Sequence, residues 1–221
     1  MQRIALYDLD RTVTRAPTFT PFLAHMAASG TRLRLLALPL WVLAMLGYKA
    51  KLYGRKPLKQ FGLTLLVGRV VRSPSLQPRI DAFVARQLAR NIQPGARAQI
   101  AADRAAGVRL VLVTAAPEIY AEAIAEALGF EACIATRHQR DANGNLLALI
   151  DGENNYGALK VGRVEAWLAN EGIARADCHL TTYTDHASDA PILDFADVGV
   201  LVGRYTKPQR GWACADWTSS D

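Results

Sequence analysis

Three segments of the sequence predicted as strands, the first two of them apolar, end in side chains that could bind ions. Asp8 and Asp10 follow the first segment, and two carboxylates at alternate positions can share a cation that prefers oxygen ligands. Thr114 follows the second segment, beside small residues and the predicted N-terminus of a helix, which suits an anion. The other candidates are two carboxylates after the third segment and a lysine near a predicted helix start: Asp185, Asp189 and Lys160.

Each of these residues alone has a simpler explanation as a polar turn, a helix cap or a solvated charge. Their joint occurrence is more informative, because ligands of open α/β sheets bind at the carboxyl ends of the parallel strands. The arrangement therefore predicts one site that binds a cation and an anion together.

The elements that would position this site follow an α/β pattern. Helices alternate with apolar strands after residue 92, which predicts a doubly wound parallel sheet, with its last strand at residues 198–202. The stretch between the first and second strands shows only helical patterns. The sequence thus predicts an α/β core at residues 1–13 and 92–221, with an all-helical cap inserted at residues 14–91.

Length and composition set the class of protein. A chain of 221 residues accommodates one domain with a modest insertion, and 51% apolar with 21% charged residues is typical of a globular protein. The three cysteines are far apart and form no CxxC pair, and their odd number argues against a disulfide framework. The first strand begins almost at residue 1 without a leader pattern, so we expect a cytoplasmic protein.

Charge is distributed unevenly along the chain. The net charge is +6, yet residues 11–80 hold twelve Lys or Arg residues and no Asp or Glu, while the rest of the chain holds 14 basic and 20 acidic residues. A region of one sign attracts phosphate groups, nucleic acid or an acidic membrane. The simpler alternative is a solvated basic surface with no partner.

The order of these motifs resembles the haloacid dehalogenase superfamily of phosphatases over essentially the whole chain. The matching features are a DxDxT motif at Asp8–Thr12, a threonine at a strand end, a lysine, and a DxxxD motif at Asp185–Asp189. The resemblance implies a haloacid dehalogenase-like α/β core with a helical cap.

Further likenesses point to one branch of that superfamily. The helical insertion and the segments 156–160 and 183–193 are similar to the phosphoserine-phosphatase-like branch. Within the branch, an apolar, proline-containing helix followed by Gly54 and Arg55 resembles bacterial phosphatidylglycerophosphatases.

The resemblance implies a phosphoric monoester hydrolase that depends on Mg²⁺ and forms an aspartyl phosphate. In that scheme Asp8 attacks phosphorus, and Asp10 protonates the leaving alcohol and then activates water. The metal ligands are Asp8, the backbone carbonyl of Asp10, and Asp185. Thr114 and Lys160 hold the phosphoryl oxygens.

Some positions outside this scheme also matter. Asp189 is implied to orient Lys160 or a metal-bound water. Arg11 stands where the family commonly has glycine, and we expect it to reshape the entrance or contact the anion. Thr184 replaces a usual small residue, and Gly203-Arg204 stands where related chains often have Asn-Pro.

The composition of the insertion bears on the substrate. A phosphoserine site must neutralise an ammonium group, but residues 11–80 contain no carboxylate. Positive charge with apolar surface fits a phosphorylated lipid, such as phosphatidylglycerophosphate. Residues 35–48 are uncharged and too few for a membrane span of about 20 residues. They are predicted to form the core of the cap, a dimer contact, or a contact with an anionic membrane in which Trp41 and Tyr48 lie at the interface. The last alternative places the protein peripherally at the inner face of the membrane.

Two other functions stay open at this point. One is a phosphatase of a small soluble ester, either phosphoserine-like or a sugar or alcohol phosphate. The other is a basic membrane- or nucleic-acid-binding protein with a vestigial site, which the complete set of site residues disfavours. We expect no nucleic-acid partner, since the insertion holds no recognisable binding motif for one. The sequence leaves the oligomeric state open.

Overall fold

Six parallel strands form the central sheet of the protein, whose computed structural model describes residues 1–203 and 210–218. In spatial order the strands are β4 (Ala132–Thr136), β3 (Arg109–Pro117), β1 (Gln2–Tyr7), β7 (Cys178–Thr184), β8 (Val198–Val202) and β9 (Ala213–Ala215). The chain moves from β1 to one side through β3 and β4, and later to the other side through β7, β8 and β9. Such a reversal opens a crevice at the carboxyl ends of the strands, and Asp8 follows β1 at that point.

Alternation of apolar side chains explains why β1 lies inside the sheet. Ile4 and Leu6 are buried on one face, and Ala5 and Tyr7 are buried on the other. A strand that is buried on both faces reads as a continuous apolar run, which is the pattern that predicts it from sequence. The helices that cover the two faces are α5 (Pro94–Ala105) and α6 (Glu118–Ala127) on one side, and α7 (Leu159–Asn170) and α8 (Ala190–Phe195) on the other.

The insertion between β1 and β3 is a cap built mainly of helices. Its helices are α1 (Phe19–Ser29), α2 (Leu38–Lys49), α3 (Arg55–Leu66) and α4 (Gln77–Arg90), with a 3-10 turn at Arg32–Ala37. Phe22 and Phe83 of the cap pack against Tyr120 of α6, with ring centroids 4.8 and 5.3 Å from the tyrosine. This aromatic cluster joins the cap to the core.

The prediction of an all-helical cap is wrong in one detail. A short strand, β2 (Val70–Arg72), lies in the insertion and pairs antiparallel with β6 (Leu146–Ile150). Strand β6 also pairs with β5 (His138–Arg140), so that a second, three-stranded sheet links cap and core. Val70 and Val71 follow an apolar helical pattern in sequence, and the strand forms because Val70 and Arg72 pair with Leu147 and Leu146, which lie far away in the sequence.

The prediction that residues 198–202 form the last strand is also wrong. Strand β9 adds one further parallel strand to the edge of the sheet beside β8. Its sequence, Ala-Cys-Ala, is too short and too small to be recognised as a strand without the neighbour that it pairs with. Arg204, which departs from the family pattern, lies outside the described residues.

One side of helix α2 is buried in the core of the cap, and the other side is exposed to solvent. Trp41 is 2% exposed and packs edge-on against Phe19, so the prediction that it lies at an interface is wrong. Leu40 and Leu43, by contrast, project from the opposite side of the helix into solvent. No helix among the described residues combines the length and the apolar character that crossing a membrane requires.

Candidate active site

The chain turns sharply as it leaves β1, and this turn presents Asp8 and Asp10. The turn at Leu9–Val13 is closed by the Thr14 hydroxyl, which donates to the Leu9 carbonyl at 3.0 Å. Arg11 adopts a left-handed conformation with φ 65°. Glycine reaches this conformation without strain, whereas another residue costs about 1 kcal/mol or more, so the turn holds Arg11 in a strained conformation. The Arg11 side chain lines the mouth of the site.

A buried lysine lies between two carboxylates at the base of the site. Lys160 Nζ donates to Asp8 Oδ1 at 2.8 Å and to Asp189 Oδ2 at 2.6 Å. The lysine side chain is only 3% exposed, so that these charges interact with little screening by water. In the sequence, Lys160 follows Asp8 by 152 residues. The fold brings the two together because α7 begins below the carboxyl end of β1.

Asp189 is fixed by a second donor. The Thr184 hydroxyl, at the end of β7, donates to the same Oδ2 atom at 2.9 Å. The replacement of a small residue by Thr184 therefore adds a hydrogen bond to Asp189. The other oxygen, Oδ1, is buried and accepts no hydrogen bond from the residues described here.

Asp10 points towards the start of the cap. Its Oδ1 atom accepts hydrogen bonds from the Thr18 backbone N–H at 2.9 Å and from the Thr18 hydroxyl at 2.8 Å. The Thr18 hydroxyl also lies 2.9 Å from the hydroxyl of Tyr120. Burial raises the pKa of Asp10, while the hydrogen bonds from Thr18 act in the opposite direction. A carboxyl with a raised pKa is suited to donate a proton near neutral pH.

Thr114 lies near the end of β3 with its hydroxyl proton available. Thr114 Oγ1 accepts a hydrogen bond from the Ala116 backbone N–H at 3.0 Å. The side-chain amide of Asn155 donates to the Thr114 carbonyl at 3.0 Å and to the Ile134 carbonyl at 2.7 Å. Asn155 thereby holds the ends of β3 and β4 together, and the Thr114 hydroxyl remains a donor for an anion.

All seven candidate residues from the sequence line one cavity of about 260 Å³. The cavity holds more carboxyl groups than ammonium groups, and burial raises the pKa values of several of these carboxyl groups. Burial raises the pKa of Asp8 to about 7, while the Lys160 ammonium lowers it and Asp189 raises it further. Burial also raises the pKa of Asp185, against the effects of His186 and Arg11. The cavity is lined by Asp8, Asp10, Arg11, Pro17, Arg55, Thr114, Ala115, Tyr156, Lys160, Asp185, His186, Ser188 and Asp189.

Two cap residues of α3 were not predicted as site residues: Arg55 lines this cavity, and Lys59 contacts Ala115 in its wall. Arg55 lies over the ring of Tyr156, with its guanidinium carbon 3.5 Å from the ring centroid. Lys59 is partly buried, and its Nζ donates to the Ala115 carbonyl and to Asn154 Oδ1, both at 2.6 Å. Burial lowers the pKa of Lys59 to about 8, against the effect of Asp10. The sequence signal that could have found them is their i, i+4 spacing on one helix face within an acid-free segment.

We predict that Lys59→Met lowers both the stability of the fold and the activity of the site, because Lys59 joins the cap to the end of β3 that carries Thr114. Loss of its two charged hydrogen bonds leaves the Ala115 carbonyl and Asn154 Oδ1 with the Thr136 hydroxyl as their remaining donor, and should cost about 1–3 kcal/mol of unfolding free energy. Urea unfolding and steady-state kinetics measure the two effects. The control is Lys56→Met on the same helix, since Lys56 makes a partly exposed ion pair with Glu153 worth at most about 1 kcal/mol. Equal effects of the two substitutions would contradict this role for Lys59.

The fold and the site define a class of α/β enzyme in which aspartates after the first strand face a lysine and a threonine under an inserted cap. The family model described as haloacid dehalogenase-like hydrolase matches residues 5–194. The chain therefore belongs to the haloacid dehalogenase-like hydrolases, which confirms the resemblance inferred from the motifs. No curated protein matches the chain significantly.

Solved structures agree with this assignment. A Bordetella pertussis protein of unknown function is similar over 98% of this chain and 99% of its own, with 25% identity and a TM-score of 0.82. A haloacid dehalogenase family hydrolase from Salmonella enterica serovar Typhi matches 90% of this chain and 61% of its own, with 14% identity and a TM-score of 0.65. A substrate-bound phosphoserine phosphatase matches 91% of this chain and 86% of its own, with 16% identity and a TM-score of 0.61. The likeness of the cap to phosphatidylglycerophosphatases stays a prediction.

Proposed function

We propose that this hydrolase is a Mg²⁺-dependent phosphatase that cleaves a phosphomonoester through an aspartyl phosphate on Asp8. The observation that carries the proposal is the contact of Lys160 Nζ with both Asp8 and Asp189, at 2.8 and 2.6 Å, in the cavity that also exposes Thr114 and Asp10. A buried ammonium and a hydroxyl beside a carboxylate suit a phosphoryl group that is transferred to that carboxylate.

The residues divide the reaction into two balanced steps. A carboxylate oxygen of Asp8 attacks phosphorus, the bond from phosphorus to the ester oxygen breaks, and Asp10 gives its proton to the leaving alcohol. Asp10, now ionised, takes a proton from water as that water attacks the phosphorus, and the bond to Asp8 breaks to release phosphate. Lys160 and Thr114 donate hydrogen bonds to the phosphoryl oxygens in both steps.

The residues present fit a Mg²⁺ ion. No three His, Cys, Asp or Glu side chains within residues 1–203 and 210–218 form a metal-binding group by themselves. Mg²⁺ needs only one or two protein carboxylates and keeps several waters, so Asp8, Asp185 and the backbone carbonyl of Asp10 would suffice to hold it. The orphan Oδ1 atom of buried Asp189 is an acceptor suited to a metal-bound water. When bound, the ion would supply positive charge that keeps Asp8 ionised and lets it approach an anionic phosphate.

Release of phosphate from a generic aryl phosphate tests the activity. We expect turnover with Mg²⁺, none after chelation with EDTA, and recovery when Mg²⁺ is restored in excess. The variant Asp185→Asn should shift the Mg²⁺ titration to higher concentration. Asp177→Asn should leave it unchanged, because Asp177 lies in the exposed turn before β7, at the opposite end of that strand from Asp185. Turnover that is independent of divalent ions would contradict the metal dependence, and absence of turnover on every ester would contradict the phosphatase assignment.

We further propose that the substrate is an anionic phosphomonoester with an apolar part, such as a phosphorylated lipid. Arg55, at the start of α3, lines the catalytic cavity. Just beyond it on the same helix, Pro57, Leu58 and Phe61 line a separate apolar cleft of about 280 Å³ with Ala44 and Tyr53. A molecule with a phosphate at Asp8 and an acyl chain in this cleft would match both surfaces.

A small soluble phosphate ester is the second candidate, favoured by the likeness to phosphoserine phosphatases. The acid-free stretch at residues 11–80 supplies no carboxylate for the ammonium group of phosphoserine, which argues for a sugar or alcohol phosphate within this class. A panel of phosphatidylglycerophosphate, phosphatidic acid, phosphoserine and glycerol phosphate discriminates the candidates. A higher kcat/KM for the soluble esters than for both lipids would overturn the lipid proposal.

A further inference from the structure

The outer side of helix α2 and of the preceding 3-10 turn is apolar and uncovered. Six side chains on this side are between 48% and 77% exposed. We call this surface the leucine face; it consists of Leu33, Leu36, Leu40, Val42, Leu43 and Leu46. A helix on a water-exposed surface carries polar residues on its outer side, but residues 35–48 contain no charged residue at all.

The core does not explain these side chains. Trp41 and Met45 lie on the inner side of α2 and pack into the cap. These inner side chains attach the helix to the cap. Leu40, Leu43 and Leu46 lie on the other side at spacings of three residues and add no contact with that core. A contiguous exposed apolar patch of this kind marks a surface that another molecule covers.

The rim of the leucine face is basic. Arg32 precedes it, and Lys49 and Lys51 follow it, and all three are exposed. Within the described residues none of these three forms an ion pair. The whole segment from residue 11 to residue 80 offers no carboxylate that could neutralise them from within the cap.

We propose that the leucine face docks on an anionic lipid bilayer. An apolar helix face with basic flanks inserts its side chains at the level of the headgroups, while the flanking cations contact lipid phosphates. A symmetric contact with a second copy of this chain is disfavoured, because a two-fold axis would bring Arg32, Lys49 and Lys51 against the same three residues of the partner. An anionic bilayer is the occupant that complements both the apolar face and its charge.

Docking in this way would place the active site beside the bilayer. The Arg55 guanidinium, which lines the catalytic cavity, donates from Nε to the hydroxyl of Tyr48 at 2.8 Å, and Tyr48 lies at the end of α2. The leucine face therefore ends next to the entrance of the site. Docking does not itself depend on the phosphatase activity, and the proposed function could hold with a soluble substrate even if docking failed.

Co-sedimentation with sucrose-loaded vesicles tests the proposal without turnover. We expect the protein to bind vesicles of equal parts phosphatidylcholine and phosphatidylglycerol, to bind phosphatidylcholine alone at least about tenfold more weakly, and to dissociate as salt rises. The variant Asp8→Asn should bind vesicles as the wild type does, because Asp8 lies in the catalytic cavity and not on the leucine face. Equal binding to both vesicle types, or no binding to either, would overturn the proposal.

Matched variants test whether vesicle binding depends on the leucine face and its basic flanks rather than on the overall charge and hydrophobicity of the protein. Leu40→Gln with Leu43→Gln should reduce binding by about tenfold or more, whereas Leu149→Gln with Leu159→Gln, which changes two exposed leucines elsewhere, should not. Lys49→Glu with Lys51→Glu should reduce it by at least about 25-fold, and Arg86→Glu with Arg90→Glu, also exposed, should reduce it far less. Sedimentation velocity distinguishes the rival occupant: a wild-type dimer that Leu40→Gln with Leu43→Gln converts to monomer, without vesicle binding by either, would assign the face to self-association.

Discussion

The variant Asp8→Asn should lose activity by about 10³-fold or more in kcat, because an amide is a poor nucleophile and forms no acyl phosphate. The substitution changes only the group at the end of a short side chain. Lys160 Nζ can still donate to the amide oxygen, and it keeps its contact with Asp189. We therefore expect the fold to persist while the chemistry fails. Initial rates of phosphate release, measured with saturating Mg²⁺, give this effect.

A chemical readout separates loss of the nucleophile from general damage. The wild type should bind beryllium fluoride, a mimic of a phosphoryl group on a carboxylate, and become more resistant to thermal unfolding; Asp8→Asn should show no such gain. The control Asp189→Asn keeps the nucleophile and should retain part of the gain, since it removes only one of the partners of Lys160. Full activity of Asp8→Asn, or an adduct traced by peptide mass spectrometry to another residue, would contradict the assignment of Asp8.

The strand ends explain why so much of the site could be predicted from the sequence. Asp8, Thr114 and Asp185 lie at the ends of segments predicted as strands, the first two of them apolar, and parallel strands bring such ends to one edge of the sheet. Local sequence patterns therefore gave both the strands and their shared edge. The role of Lys160 could be predicted because the order of the motifs resembles that of a family. The sequence of its own helix does not distinguish it from a solvated lysine.

The residues that were missed depend on contacts between distant parts of the chain. Lys59 is one of twelve basic residues in its region, and only the approach of α3 to Ala115 and Asn154 distinguishes it from a solvated charge. Strand β2 and the orientation of Trp41 have the same origin, since apolar residues fit a helix, a strand or a surface until their partners are known. Local patterns specify periodicity, whereas the choice between buried and exposed faces of an all-apolar helix is made by tertiary packing.

A further large effect is expected for Lys160→Met, which should impair both stability and catalysis. The substitution leaves two carboxylates, Asp8 and Asp189, near one another without the cation that lies between them. Removal of one partner from a buried ionic cluster typically costs about 3–5 kcal/mol, because the remaining charges stay desolvated. Loss of a donor to the phosphoryl oxygens should also lower kcat by about 10²–10³-fold. Urea unfolding in EDTA isolates the first effect from any compensation by Mg²⁺.

The double variant Lys160→Met with Asp189→Asn tells an electrostatic role from a catalytic one. Removing the Asp189 charge relieves the repulsion, so the double variant should recover part of the unfolding free energy that Lys160→Met loses. Its activity should stay as low as that of Lys160→Met, since the ammonium that contacts Asp8 Oδ1 at 2.8 Å is absent from both. If Lys160→Met unfolds at the same urea concentration as the wild type, the buried cluster contributes nothing to stability. If the double variant regains turnover, Lys160 serves only to balance Asp189, and the phosphoryl group must be held by Thr114 and the metal alone.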